Sequence, residues 1–141
     1  MKIMVDNKVY KRILCISDLH APYNHPNSID FIRGCNKAFK PDCVVNMGDE
    51  LDFSASSYHE SSTELYNPSH NTLTLQTPMG SVYFVHQQSS NVLQVCSAVS
   101  MNVVQAHYHT KACIHYTSSP ERLMWAMNTG CLINKNHLAF K

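Results

Sequence analysis

Ile13-Leu14-Cys15-Ile16-Ser17-Asp18-Leu19-His20 is a short apolar run that ends on an acid, with a histidine two positions further on. Cys43-Val44-Val45-Asn46-Met47-Gly48-Asp49 repeats the pattern. Each reads as a buried strand that delivers a carboxylate at its C-terminal end, the edge where α/β proteins build their sites. Between them, Asn27 or Ser28 can cap a helix running to about Phe39, with Ile29, Ile32, Cys35 and Phe39 near helical spacing and Pro41 as the stop. The result is a β-α-β unit, and the class is α/β.

Working outward, residues 54–78 are rich in Ser, Thr, Asn and Pro and read as a variable loop, with at most a short helix near Thr63 to Tyr66. Thr72 to Thr77 and Ser81 to His86 flank Pro78-Met79-Gly80, which signals a hairpin. Ser90 to Met101 has helical spacing through Val92, Val95, Cys96 and Val99, with Ser89 or Ser90 as the cap. Asn102 to Ala106 is a further strand, entering His107-Tyr108-His109. Short strands are expected at Ala112 to Tyr116, Leu123 to Met127 and Leu138 to Phe140. No repeat or low-complexity tract interrupts the chain, so residues 1–141 are expected to form a single domain.

Composition narrows the function classes. Eleven basic and ten acidic residues give a formal charge of +1 without runs, so no basic stripe for nucleic acid or an anionic membrane exists. The six cysteines make no C-x-x-C pair and sit mostly among apolar neighbours, which predicts buried thiols in a reducing compartment. No apolar run approaches the ~20 residues of a membrane span, and the first residues lack the apolar core of a signal peptide. A soluble, cytoplasmic protein is expected. Glycine occurs only 4 times, well below the usual ~7%. Between Leu65 and Thr110 there is no Asp, Glu, Lys or Arg, yet His70, His86, His107 and His109 fall there. Ligands from that half must be imidazoles.

Asp18, His20, Asp49, His86, His107 and His109 thus stand at the ends of four expected strands. A lone Asp after a strand is ordinarily a turn or cap residue, and a lone terminal His a polar tip; four strand ends that all finish on metal-capable groups are hard to obtain by chance. Mixed carboxylate and imidazole donors suit Mn, Fe, Zn, Co or Ni better than Mg or Ca. Such a set permits hydrolysis assisted by two metals about 3.5–4 Å apart, which clamp the oxygens of an in-line displacement at phosphorus. His25, His59, His115 and His137 read as surface or packing residues. Tyr108, Met124, Trp125 and Met127 read as core or rim packing.

The chain resembles the calcineurin-like metallophosphoesterases, in particular small phage-type or bacterial members. The matching segments are residues 13–20, Asn46-Met47-Gly48-Asp49-Glu50-Leu51-Asp52-Phe53, Val82-Tyr83-Phe84-Val85-His86, and residues 102–110, with Gly130-Cys131-Leu132-Ile133 and Leu138-Ala139-Phe140 similar to that group's tail. The resemblance implies a shortened β-sandwich flanked by helices. It implies one metal on Asp18, His20, Asp49 and His109 and a second on Asp49, His86 and His107, with Asp49 bridging and Asp52 supporting the site. It further implies hydrolysis of a phosphomonoester or phosphodiester by a metal-bound hydroxide, with Asp49 and His107 as the catalytic residues. A phosphate ester is the expected partner, nucleic acid entering only as substrate, no membrane is expected, and an oligomer stays open.

The family's Gly-Asn-His-Asp/Glu motif is missing. Between Phe53 and Val85 only Asn67-Pro68-Ser69-His70-Asn71 offers similar residue types, without the glycine or the order. An internal deletion accounts for this, and it leaves a catalytically impaired or metal-binding remnant as the alternative function. His70 is the one residue that could stand in for the missing histidine. Ala106 and Gln87 replace expected glycines, so strain on the order of 1 kcal/mol is expected wherever positive φ was required.

Overall fold

The computed structural model describes residues 5–51, 72–118, 120–134 and 136. The expected strand at Leu138 to Phe140, the short helix near Thr63, and Asp52, His59, His70 and His137 lie outside these residues. The elements run β1 (Val5–Val9), β2 (Ile13–Ile16), α1 (Ser28–Phe39), β3 (Cys43–Asn46), β4 (Thr72–Thr77), β5 (Gly80–Val85), α2 (Val92–Val99), β6 (Asn102–Gln105), β7 (Cys113–Ser118) and β8 (Leu123–Asn128).

The strands form two sheets. Six strands pair in the order β1-β4-β5-β6-β8-β7, and β2 pairs in parallel with β3 to make the second sheet. The hairpin falls where expected: Thr77 and Gly80 close it, and Gly80 takes φ +101°, a conformation open to glycine at no steric cost. Alternation along the central strands decides which side chains go to which face. Phe84, Val82, Val104 and Leu75 face the small sheet and pack with Val45 and Met47 from it. Val103 and Ala126 point the other way and pack with Val92, Val95 and Cys96 of α2. The layers are therefore α2, the large sheet, the small sheet and α1, with β6 buried on both faces.

Three expectations are corrected by this layering. The first two strands are not fully buried: β2 is half-buried along its length, and Val44 and Asn46 of β3 are exposed, because α1 touches β2 without covering the sheet. For the same reason Ile29 and Phe39 of α1 are exposed, while Ile32 and Cys35 are half-buried. Of the six cysteines, all free, only Cys96 is buried. Cys15 is nonetheless well shielded, and burial together with neighbouring Cys43 pushes its thiol up to about 12. Helix starts differ in detail as well. Asn27 occupies the cap position of α1 without a side-chain hydrogen bond, and α2 is capped by Asn91, whose side chain accepts from the Leu93 N–H, instead of by Ser89 or Ser90.

Strand β1 was not expected from sequence. Asp6-Asn7-Lys8 breaks its apolar pattern, which suits an edge strand, and it pairs in parallel with β4. The turn from β1 into β2 is tied down by Asp42, whose carboxylate oxygens accept from the Lys11 and Arg12 N–H groups, both at 2.9 Å. These backbone bonds hold the Asp42 carboxyl below its ordinary 3.8.

Two outcomes follow from the packing. Phe84 is only 3% exposed at the centre of the inter-sheet core, so Phe84→Ala lowers the unfolding free energy by about 3–5 kcal/mol in urea denaturation. For Asp42 the folded pKa lies below the unfolded one, so the stability it adds is present above 3.8 and is lost as pH falls through the lower folded value. Asp42→Ala therefore lowers Tm at neutral pH, and its gap to wild type closes in strongly acidic buffer.

Candidate metal centre

β2 and β3 are parallel, and so are β5 and β6, so within each sheet the two C-terminal ends share one edge, and the loops that leave these two edges bring ligand-type atoms from both sheets within 4.8 Å of one another. Two loops leave the small sheet together and stay zipped beyond its last residues. Asp18 N–H donates to the Gly48 carbonyl at 3.0 Å, His20 N–H to Asp49 at 2.9 Å, and Ala21 N–H to Glu50 at 2.8 Å. This pairing holds the backbone in conformations that side chains rarely adopt. Asp18, His20 and Asp49 have φ of 50°, 51° and 55°, and His107 in the opposite loop has 70°. Left-handed backbone at a non-glycine residue costs about 1–3 kcal/mol and persists where its surroundings over-determine it. The strain sits on the ligand-type residues themselves. Ala106 and Gln87, where it was expected, do not take positive φ.

Asp18 is wholly buried. One carboxylate oxygen, Oδ2, accepts from the His107 N–H at 3.1 Å, and Oδ1 lies 3.1 Å from His109 Nε2 and 3.9 Å from His20 Nε2. Asp49 Oδ2 stands 3.6 Å from His20 Nε2 and 3.2 Å from His86 Nε2. Ring centroids of His20 and His109 are 5.0 Å apart, and those of His86 and His107 5.3 Å. Two overlapping groups result. Ligand atoms of Asp18, His20, Asp49 and His109 all fall within 4.8 Å of one another, as do those of Asp49, His86 and His107. All six residues singled out in the sequence come together in this way, and Asp49 belongs to both groups. Asp52 lies outside the described residues.

The donor chemistry fits a cation. His86 is buried, and its Nδ1 lies 2.8 Å from the Met47 carbonyl, which can only accept, so Nδ1 carries the hydrogen. In the neutral ring Nε2 then presents a lone pair to Asp49 Oδ2, an acceptor facing an acceptor. Only a proton or a metal ion between or beside them relieves that. A histidine ligand whose other nitrogen donates to a carbonyl is the arrangement that fixes tautomer and ring orientation at metal sites. Charges respond accordingly. Burial pushes the His86 pKa down, but the hydrogen bond to Asp49, its charge and the Met47 carbonyl outweigh it and leave the pKa raised. The hydrogen bond from His86 likewise holds Asp49 below the usual carboxylate range, against the opposing effect of burial. His107 moves the other way: burial first, then the neighbouring His86 charge, lower its pKa and favour the neutral ring.

Around this centre, Tyr108 makes a T-shaped contact with the His107 ring, and Lys111 Nζ stands over the Tyr108 ring. Trp125 and Met127 pack on the inter-sheet core and Met124 on the α2 side. Sequence reading missed Gln105 and Asn128, whose buried side chains join each other and the Gln88-Ser89 loop that follows His86, and Thr129, whose hydroxyl meets that of Ser17 beside Asp18. The available signal was a glutamine closing the otherwise apolar run Val103-Val104 in a strand buried on both faces.

No protein-family model and no curated protein matches the sequence. Among solved structures, vacuolar protein sorting 29 from Cryptosporidium parvum is similar with a TM-score of 0.51 at 15% identity, covering 88% of this chain and 76% of that one. That protein has the calcineurin-like metallophosphoesterase fold, and at this identity the likeness speaks to fold alone. With its six-stranded sheet, its facing two-stranded sheet and its flanking helices, the chain has the calcineurin-like metallophosphoesterase fold and carries a candidate metal-binding cluster of His and Asp at its strand ends.

Proposed function

We propose that the chain is a metal-dependent phosphoesterase that hydrolyses a phosphomonoester or phosphodiester. The observation that carries this reading is the Asp49 carboxylate, shared by a four-residue group and a three-residue group of ligand atoms. In this reading Asp18, His20, Asp49 and His109 hold one divalent transition ion and Asp49, His86 and His107 a second, with Mn, Fe, Zn, Co or Ni favoured by the mixed donors. Bound there, two such ions would lower the pKa of a water and neutralise charge at phosphorus. The protein's own contribution is placement. Asp18 fixes the His107 main chain, Met47 fixes the His86 ring, and Asp49 ties both groups to one loop. His107, kept neutral at ordinary pH, is free to act as a ligand or to face the phosphate oxygens.

Within this reading the chain is a small phage-type or bacterial member, a single domain with an internal deletion in the 54–78 segment that removed the Gly-Asn-His motif. A phosphate ester is its partner, nucleic acid only as substrate. Free cysteines throughout the described residues support a reducing, cytoplasmic setting. A second reading is a remnant that binds metal without turnover. It is favoured by the second group, which has three ligand-type residues against four in the first.

Two measurements test these readings. With Mn²⁺ or Ni²⁺ the protein hydrolyses a generic aryl phosphodiester, and Asp49→Asn lowers kcat/KM on the order of 100-fold or more; a variant as active as wild type would sink the proposal. Metal analysis after equilibrium dialysis separates enzyme from remnant. Two Mn²⁺ per chain with turnover support the enzyme, whereas a single ion without turnover supports the remnant.

A further inference from the structure

Gln105 closes β6 with a side chain 0% exposed. An amide has two donor hydrogens and an acceptor oxygen with two lone pairs, and here every one is used. Oε1 accepts from the Gln88 and Ser89 N–H groups, both at 3.2 Å, while Nε2 donates to the Ser89 carbonyl at 2.7 Å and to Asn128 Oδ1 at 3.1 Å. Two donors at one end and two acceptors at the other fix which atom is oxygen. A valine or leucine would fill this core without desolvating an amide, so the glutamine is explained by what it holds.

What it holds is the chain just past His86. Backbone pairing of β5 with β6 ends where the Ala106 N–H meets the Val85 and His86 carbonyls, at 3.2 and 3.1 Å. Beyond that point the Gln105 amide takes over: toward Ser89 it offers an acceptor for the N–H and a donor for the carbonyl, as a neighbouring strand would. The two residues that flank this join are His86 on one side and His107, two positions after Gln105, on the other. The Gln105 main-chain carbonyl separately accepts from the Thr129 N–H at 2.9 Å, and Thr129 Oγ1 lies 2.8 Å from Ser17 Oγ, beside Asp18. That second link does not involve the amide.

We propose that Gln105 is a positioning residue for the second donor group: its amide sets where His86 stands relative to His107 and Asp49, and so governs cation binding there and not at the Asp18, His20, Asp49 and His109 group. The inference rests on reading the two groups as cation sites. Because the link toward Ser17 runs through the main chain, changing the side chain spares the first group.

Gln105→Met keeps the length and removes the hydrogen bonds, and Gln88→Pro deletes one donor from the exposed side without touching the core. In the full chain, Mn²⁺ is titrated by calorimetry and followed by electron paramagnetic resonance. Wild type binds two ions with an exchange-coupled spectrum; in either variant one affinity stays within about twofold, the other falls about 10- to 100-fold, and the coupled spectrum gives way to that of an isolated ion. Two unchanged affinities, or two that fall together in step with Tm, would overturn the proposal. Proton–carbon spectra of the histidine rings in metal-free protein test it independently. The His86 and His107 signals shift in the variants while those of His20 and His109 hold. Signals of His86 and His107 that coincide with wild type overturn it whatever the titration gives. A wild type that binds no Mn²⁺ while these signals do shift overturns the metal reading alone.

Discussion

The carboxylate of Asp18 joins the two sheets at the site end of the molecule. It belongs to the small sheet, yet its oxygens reach the His107 N–H and the His109 ring in the loop that leaves the large one. Its own main chain is held as firmly, donating to Gly48 and accepting from Leu132. A carboxylate removed from water is tolerated only where polar partners surround it, and here they come from the His107–His109 loop, far along the chain from Asp18. Losing them would leave a buried acid without these partners, so the loop after β6 and the strand end of β2 must arrive together, while Gly48 in the loop after β3 holds the Asp18 main chain. The left-handed backbone at Asp18 is a condition of that meeting.

The inter-sheet core and the site are therefore parts of one construction. Phe84, Val104, Val45 and Met47 set the spacing of the sheets, and the loops that emerge above them inherit it. The supports are unequal. On the large-sheet side α2 covers β6 and β8 with Val92, Val95 and Cys96. On the small-sheet side there are two strands and a helix whose Phe31 and Phe39 face solvent. Local opening follows the density of buried apolar contact, and that density is lower on the small-sheet side, where one face of the two strands is only thinly covered.

How much of this was legible in the sequence differs by element. Apolar runs ending on Asp18 and Asp49, the Pro78-Met79-Gly80 turn and the spacing of Val92, Val95 and Cys96 specify local structure strongly, and those elements fall where expected. The six ligand-type residues were readable because each closes or follows a strand, and parallel pairing brings the ends within each sheet to one edge. Exposure was not readable. Ile29, Phe39 and Val44 look like core residues by type, and only the thinness of the small sheet leaves them outside. The edge strand Val5–Val9 was hidden because its pairing depends on β4, far along the chain, and not on its own pattern. By residue type, Ala106 and Gln87 stand where glycine is expected and point to backbone strain at those two positions. The fold instead keeps those residues relaxed and twists the ligand-type residues. Gln105 escaped because its role is visible only when the loop it grips is in place.

Asp18, His20, Asp49 and His107 share a left-handed main chain, and if the cluster holds metal each would answer a second, unrelated demand at the same position, for a particular donor atom. Glycine would relax the first and delete the second. A bulkier residue would fail both, and asparagine, which tolerates the conformation, changes the charge and donor set. On that reading the space of acceptable substitutions at these four positions would be nearly empty, while the exposed helix face and outer strand could drift with little penalty. A lineage of such proteins would then diverge almost everywhere and freeze at a few points, becoming unrecognisable by overall similarity long before its centre changed.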